Sequence, residues 1–153
     1  MKKSTVICVV LIAMLLPVGV ASADDTAQKA LDSLLKQWLQ VIMAEDVNGY
    51  ADCYWPDASI VTYAATGKSS LLEGSRAIRQ RQQEWADKLD FSKMVLQYPE
   101  PRRFLTTTGG DTYTYVYDMS ASGYFEVFEF QRRSGVFKIL RQVDLYQGPG
   151  FNP

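Results

Sequence analysis

Between Asp25 and Ile42 the apolar residues Ala27, Ala30, Leu31, Leu34, Leu35, Trp38, Leu39 and Ile42 recur at intervals of three and four. That is the stripe of an amphipathic helix with one buried face, and Asp25 is placed to cap it. The polar stretch from Glu45 to Gly49 interrupts the stripe; Val47, Tyr50, Ala51 and Tyr54 resume it as a short second helix that Pro56 stops. Ser59 to Ala64 reads as a strand, Thr66 to Ser70 as a polar tip, and a second apolar run follows at Leu71 and Leu72. Gly74 and Ser75 open a third helix, whose buried line is Ile78, Gln82, Trp85 and Leu89; Arg76, Arg79, Arg81 and Lys88 lie outside that line and form a solvated basic face.

Beyond Leu89 the period falls to two. Met94 to Tyr98, Phe104 to Thr108, Thr112 to Met119, Tyr124 to Arg132 and Val136 to Tyr146 read as strands, with Pro99-Glu100-Pro101 marking a bend between the first two. Gly109-Gly110, Ser120 to Gly123 and Arg133 to Gly135 are turn signals, so the last strands form consecutive antiparallel hairpins. Helices first and sheet last predict an α+β fold: three N-terminal helices packed in the concave face of a strongly curved antiparallel sheet.

Two-residue loops closing Ser120 on Gly123 and Arg132 on Gly135 fix a register. One face then carries the rows Tyr113/Phe130/Phe137, Tyr115/Phe128/Ile139, Tyr117/Glu126/Arg141 and Met119/Tyr124/Val143, an aromatic surface suited to the concave side. The other carries Thr114/Glu129/Lys138, Val116/Val127/Leu140 and Asp118/Phe125/Gln142, charged around an apolar centre, which suits a sheet-to-sheet dimer contact through Val116, Val127 and Leu140. In the first face the row Tyr117, Glu126 and Arg141 stands out. A carboxylate and a guanidinium among aromatics either pair with each other or face a wet cavity, because burying them alone costs several kcal/mol.

Composition narrows the chemistry. The chain has no histidine, which removes His-activated Ser or Cys nucleophiles, Asp-His dyads and His-ligated zinc. Lys2 and Lys3, the apolar stretch from Val6 to Val20 and Ala21-Ser22-Ala23 have the order of a secretory leader, which divides the chain into a signal peptide (1–23), one domain (24–147) and a tail (148–153). Without the leader, the 16 basic residues fall to 14 against 17 acidic ones, a net charge of −3 that offers nucleic acid no general attraction. The expected location is the periplasm or the outside of the cell, with no membrane attachment after cleavage. Cys53 is then the single thiol, and a packed core position suits it better than a nucleophile's role with no base to activate it. No cluster of ligating residues suggests a metal, and no sequence feature asks for a cofactor.

Trp38, Asp46-Val47, Tyr50, Tyr54 and Asp57-Ala58-Ser59-Ile60, followed by Gly74, Ala77-Ile78 and the closing Gly135-Val136-Phe137-Lys138-Ile139, together resemble the nuclear transport factor two-like superfamily. The order matches across nearly the whole mature chain. The resemblance implies a cone-shaped, cystatin-like fold with a cavity between helix one, helix three and the concave sheet, and often a dimer through the convex face. It extends to periplasmic domains of this superfamily, including those attached to cell-wall L,D-transpeptidases, although this chain has no transpeptidase domain. Fold alone does not assign a function, because the superfamily holds isomerases, cyclases, dehydratases and epoxide hydrolases beside non-catalytic members. The general-base Asp of the ketosteroid-isomerase pattern falls close to Thr62. The dehydratase and cyclase patterns need the histidine this chain lacks, and the Asp-Arg-Asp set of the epoxide hydrolases has only Arg141 with Asp118 and Asp144, on opposite faces by strand alternation.

Three readings stay open. The first is an exported, non-catalytic binding domain, a homodimer whose aromatic cavity, lined by Trp38, Tyr63, Trp85, Tyr115, Tyr117, Glu126, Phe128 and Arg141, holds a small molecule or cell-wall fragment carrying a carboxylate. The second is a small lyase or isomerase with Glu126 as general base and Tyr117 or Tyr63 stabilising an oxyanion. The third is a protein-interaction module using the convex sheet.

Overall fold

A computed structural model describes residues 21–88, 104–106, 110–119 and 124–146. The leader up to Val20, the expected strand at Met94 to Tyr98, Leu89 and the tail lie outside the described residues. Helix α1 (Asp25–Met43) buries Ala27, Leu31, Leu34, Leu35, Trp38 and Ile42 of the expected stripe, while Ala30 is exposed and Leu39 half-buried at its margins. Its cap is Asp24 rather than Asp25: the Asp24 carboxylate accepts from the Ala27 backbone N–H at 2.8 Å. Asp46 caps α2 (Val47–Asp52) in the same way through Gly49 N–H. Tyr54 is not part of that helix. It begins strand β2 (Tyr54–Tyr63), which is followed by β3 (Ser69–Glu73) and helix α3 (Gly74–Ala86).

The remaining strands are β1 (Ala21–Ser22), β4 (Leu105–Thr106), β5 (Thr112–Met119), β6 (Tyr124–Arg133) and β7 (Val136–Tyr146). They form one sheet in the order β1-β4-β5-β6-β7-β2-β3, antiparallel throughout except where β2 runs parallel to β7. The helices and the inner face of this sheet enclose one core, built from the α1 stripe together with Tyr54, Ile60, Ile78, Phe104, Tyr113, Tyr115, Phe128, Phe130 and Ile139. This is the expected α+β cone, with helices over one face of a curved sheet.

The β5/β6 ladder has the expected register, Tyr113 opposite Phe130 and Tyr117 opposite Glu126. The β6/β7 ladder does not. Ser134 and Gly135 both have positive φ, 51° and 82°, the signature of a type I′ turn, so the loop is Ser134-Gly135 and Arg133 pairs with Val136. That moves every partner by two and leaves the faces unchanged. A second irregularity then reverses them: Phe130 pairs with Ile139 but Glu129 pairs with Arg141, so Leu140 is an extra residue, a β-bulge. The parallel neighbour β2 is irregular at the same level, pairing Tyr54 with Ile139 and Ser59 with Arg141 around Pro56. Beyond the bulge each β7 side chain points the opposite way from the uninterrupted alternation. Arg141 and Val143 face outward; Gln142 and Asp144 face the helices.

Candidate functional site

The expected polar row Tyr117/Glu126/Arg141 is therefore Tyr117/Glu126/Asp144. Arg141 is exposed on the convex face opposite Glu129, where it cannot pair with Glu126. The core face has exchanged a cation for a second acid. Glu126 and Asp144 are both almost fully buried, and Gln142 stitches them together: its Nε2 donates to Glu126 Oε1 at 2.7 Å and to Asp144 Oδ1 at 2.9 Å. Its Oε1 accepts from the Tyr54 hydroxyl, which also lies 2.8 Å from the Tyr50 hydroxyl and accepts the indole N–H of Trp38 at 2.8 Å. Indole, phenol, amide and carboxyl groups from α1, α2, β2, β6 and β7 thus form one buried polar network.

The Glu126 carboxyl also interacts with that of Asp144 and favours its charged form. Burial dominates nonetheless and pushes the Asp144 carboxyl up to about 6, against the hydrogen bonds from Gln142, Glu126 and Thr62 and the nearby Arg81 guanidinium. Burial likewise raises the Tyr50 and Tyr54 phenols, so both stay protonated, and lifts the Cys53 thiol to about 11, which leaves an inert packed cysteine.

On the α3 side of this network is a pocket with a cavity volume of about 10 Å³, the room of a single water. Thr62, Gln142 and Asp144 form its sheet wall, Arg81, Gln82 and Trp85 its helix wall, and Tyr50, Ile60, Leu72 and Ile78 complete it. Gln82 is 1% exposed, and among the described residues its Nε2 has no hydrogen-bond partner; nor has the buried Nε of Arg81, whose guanidinium lies 4.9 Å from the centre of the Trp85 ring. Thr62 Oγ1 donates to Asp144 Oδ2 at 3.4 Å. The pocket therefore has donors on its helix wall and an acid on its sheet wall. Among the described residues no group of three His, Cys, Asp or Glu side chains is placed to hold a metal ion.

Of the residues expected to line a cavity, Trp38, Tyr115, Tyr117, Glu126 and Phe128 do share the concave side, packed rather than open. Trp38 meets Phe128 edge-on at 5.3 Å, and Tyr115 stacks on Phe128. Tyr63 is 47% exposed and outside that side, and Arg141 is on the other face. Trp85 alone of that set lines the pocket. Leu140, expected in the outer apolar row, sits in the bulge, and Val143 takes its place opposite Val127. The pocket's polar residues, Thr62, Arg81, Gln82, Gln142 and Asp144, were not among those expected. A signal existed for one of them: a glutamine at position 82 on an otherwise apolar helical line.

No protein family and no curated protein matches the chain by sequence. Solved structures do match by shape. An NTF2-like protein of unknown function from Pseudomonas putida is 13% identical, with a TM-score of 0.61 over 80% of this chain and 88% of that one. An NTF2-like protein with a cystatin-like fold from Novosphingobium aromaticivorans is 14% identical, with a TM-score of 0.60 over 80% and 83%. A domain of unknown function with a cystatin-like fold from Nostoc punctiforme is 12% identical, with a TM-score of 0.58 over 84% and 82%. These likenesses establish the nuclear transport factor two-like, cystatin-like fold, and at such identities they establish nothing finer.

Proposed function

We propose that this cone is an exported small-ligand-binding domain with no chemistry of its own, its ligand seated between α3 and the β2/β7 part of the sheet. The observation that carries the proposal is the Gln82 amide. Leaving a buried N–H unpaired costs about 1–3 kcal/mol, and the group lines an opening with Arg81, Trp85, Thr62 and Asp144. Gln142 ties both carboxyls of the network to the sheet, which favours recognition over proton transfer. The leader-like first 23 residues support export, and a small molecule or cell-envelope fragment is the expected partner.

Native mass spectrometry of wild type beside Gln82→Leu tests the proposal. The expected result is a small molecule that co-purifies with wild type and is lost from the variant. The same variant should be more stable by about 1 kcal/mol, since it removes an orphaned donor from the interior. Equal retention in both proteins, or no ligand in either, counts against the proposal.

A second reading has one observation in its favour. An acid held near 6 at a pocket wall is poised for general acid–base catalysis, with Asp144 rather than Glu126 as the group in reach.

A further inference from the structure

Asn48 and Gly49 form the one Asn-Gly pair of the chain, and α2 displays it with Asn48 exposed. Packing imposes the glycine. A Cβ on Gly49 would lie 2.4 Å from Asp46 Oδ2 and 2.9 Å from the Val41 side chain of α1, so no larger residue fits there without moving the cap. The same demand leaves the Gly49 nitrogen with no side chain to shield it, directly after an exposed asparagine carboxamide. A backbone nitrogen so placed can attack the preceding side-chain carbonyl and close a succinimide ring.

Two features of the turn hold that reaction back. The Gly49 N–H donates to Asp46 Oδ1 at 2.9 Å, so the nitrogen keeps its proton beside a negative charge. Helical backbone at Asn48 also turns that nitrogen away from Cγ, and the ring closes only when the turn opens. We propose that Asn48 is a self-modification site gated by the Asp46 carboxylate. When the turn opens, Gly49 N bonds to Asn48 Cγ, the Cγ–Nδ2 bond breaks, and the Gly49 proton leaves with the side-chain nitrogen as ammonia. Water then opens the imide at either carbonyl, giving aspartate or isoaspartate, and no other reactant takes part.

The isoaspartate product lengthens the main chain by one carbon and adds a carboxylate near Asp46. That carbon falls inside the ring closed by the Tyr50 N–H and the Asp46 carbonyl, now 2.8 Å apart, so Tyr50 has to shift. Tyr50 is buried against Trp38, and its hydroxyl lies 2.8 Å from that of Tyr54, which accepts the Trp38 indole N–H. Modification at the surface therefore reaches the buried polar network through the next but one residue.

The test incubates the protein in mildly alkaline buffer, with and without urea, and follows Asn48 by peptide mass mapping that separates aspartate from isoaspartate. Folded wild type should convert more slowly than the urea-unfolded chain, with isoaspartate among its products. Asp46→Ala, folded by circular dichroism, should convert about fivefold faster than folded wild type, the worth of one cap, and Asp46→Ser, which restores a capping oxygen, should return to the wild-type rate. In the isoaspartate fraction the NMR signal of the Trp38 indole N–H should move, while that of Trp55, bonded to the Gln131 carbonyl, should not. No conversion of the unfolded chain overturns the site. Folded wild type converting as fast as the unfolded chain, or Asp46→Ala no faster than wild type, overturns the gate. An unmoved Trp38 signal in the isoaspartate protein overturns the link to the buried network.

Discussion

Asp144 is 2% exposed, and its ionisation carries a cost that the rest of the network only partly offsets. Its pKa rises from 3.8 to about 6 on folding, so between those values the folded protein binds a proton that the unfolded chain has released. Stability therefore falls as the pH rises through that window, by about 3 kcal/mol when complete. Below about pH 4 both states are protonated and the penalty disappears. Asp144→Asn keeps the shape and cannot ionise, so its stability relative to wild type should climb across the window and level off above it; thermal melts at several pH values will show this. A constant difference would mean that Asp144 does not carry the charge. At this scale the sequence was legible where a side chain breaks its own pattern, as Gln82 does on the third helix. It was misleading at Arg141 and Asp144, since which of two neighbouring strand residues faces the core is decided by an irregularity elsewhere in the ladder.

That irregularity belongs to β7. The Ser134-Gly135 turn is readable from composition, because a small residue followed by glycine tolerates the two positive φ values a tight hairpin needs. The bulge at Leu140 is not. Nothing in Lys138-Ile139-Leu140-Arg141 announces an extra residue, and uninterrupted alternation is the simpler expectation. The cause is tertiary: β2 carries Pro56 at the same level and cannot hold a regular parallel ladder there. Deleting Leu140 should remove the extra residue without reversing any face, because Arg141 then follows Ile139 directly, outward opposite Glu129, with Gln142 and Asp144 still inward. The variant should therefore keep the fall in stability between about pH 4 and 6 that Asp144 confers, measured by urea denaturation at several pH values. Loss of that pH dependence would show that the extra residue is needed to hold Asp144 in the network. Helix α1, by contrast, was legible almost to the residue, because it states its buried face six times over and its cap sits one position from the expected one, whereas the second helix ends at Asp52, before the Tyr54 expected in it.

For the whole molecule, the order of helices and strands predicted the cone. What it left out was that β2 and β3 join the far end of the sheet beside the last strand, a pairing between distant segments that local pattern does not encode. The corrected register gives the convex face an aliphatic row longer than the expected one. Val116, Val127, Val143, Val61 and Leu71 lie directly opposite one another across five strands, with Val116 and Leu71 exposed. Beside it runs a polar row, Glu129, Arg141, Ser59 and Glu73, charged at all but Ser59. An apolar band with a charged margin suits a homodimer through this face, and we propose that contact for this protein. Val127→Glu, at the middle of the band, should halve the mass in sedimentation equilibrium while leaving the circular dichroism spectrum intact. An unchanged dimer mass would move the contact elsewhere.

The parallel seam between β2 and β7 has a consequence in time. Thr62 and Asp144 are neighbours across it and 82 residues apart along the chain, so the segment made early waits for the strand made last. Closing such a long loop comes late in folding and slows it. Until the seam closes, β2 has an unsatisfied edge and the pocket lacks its sheet wall. A ligand of the proposed kind would therefore meet a complete site only once β7 is in place, and fraying of that strand would remove the sheet wall of the pocket before it unfolds the helices.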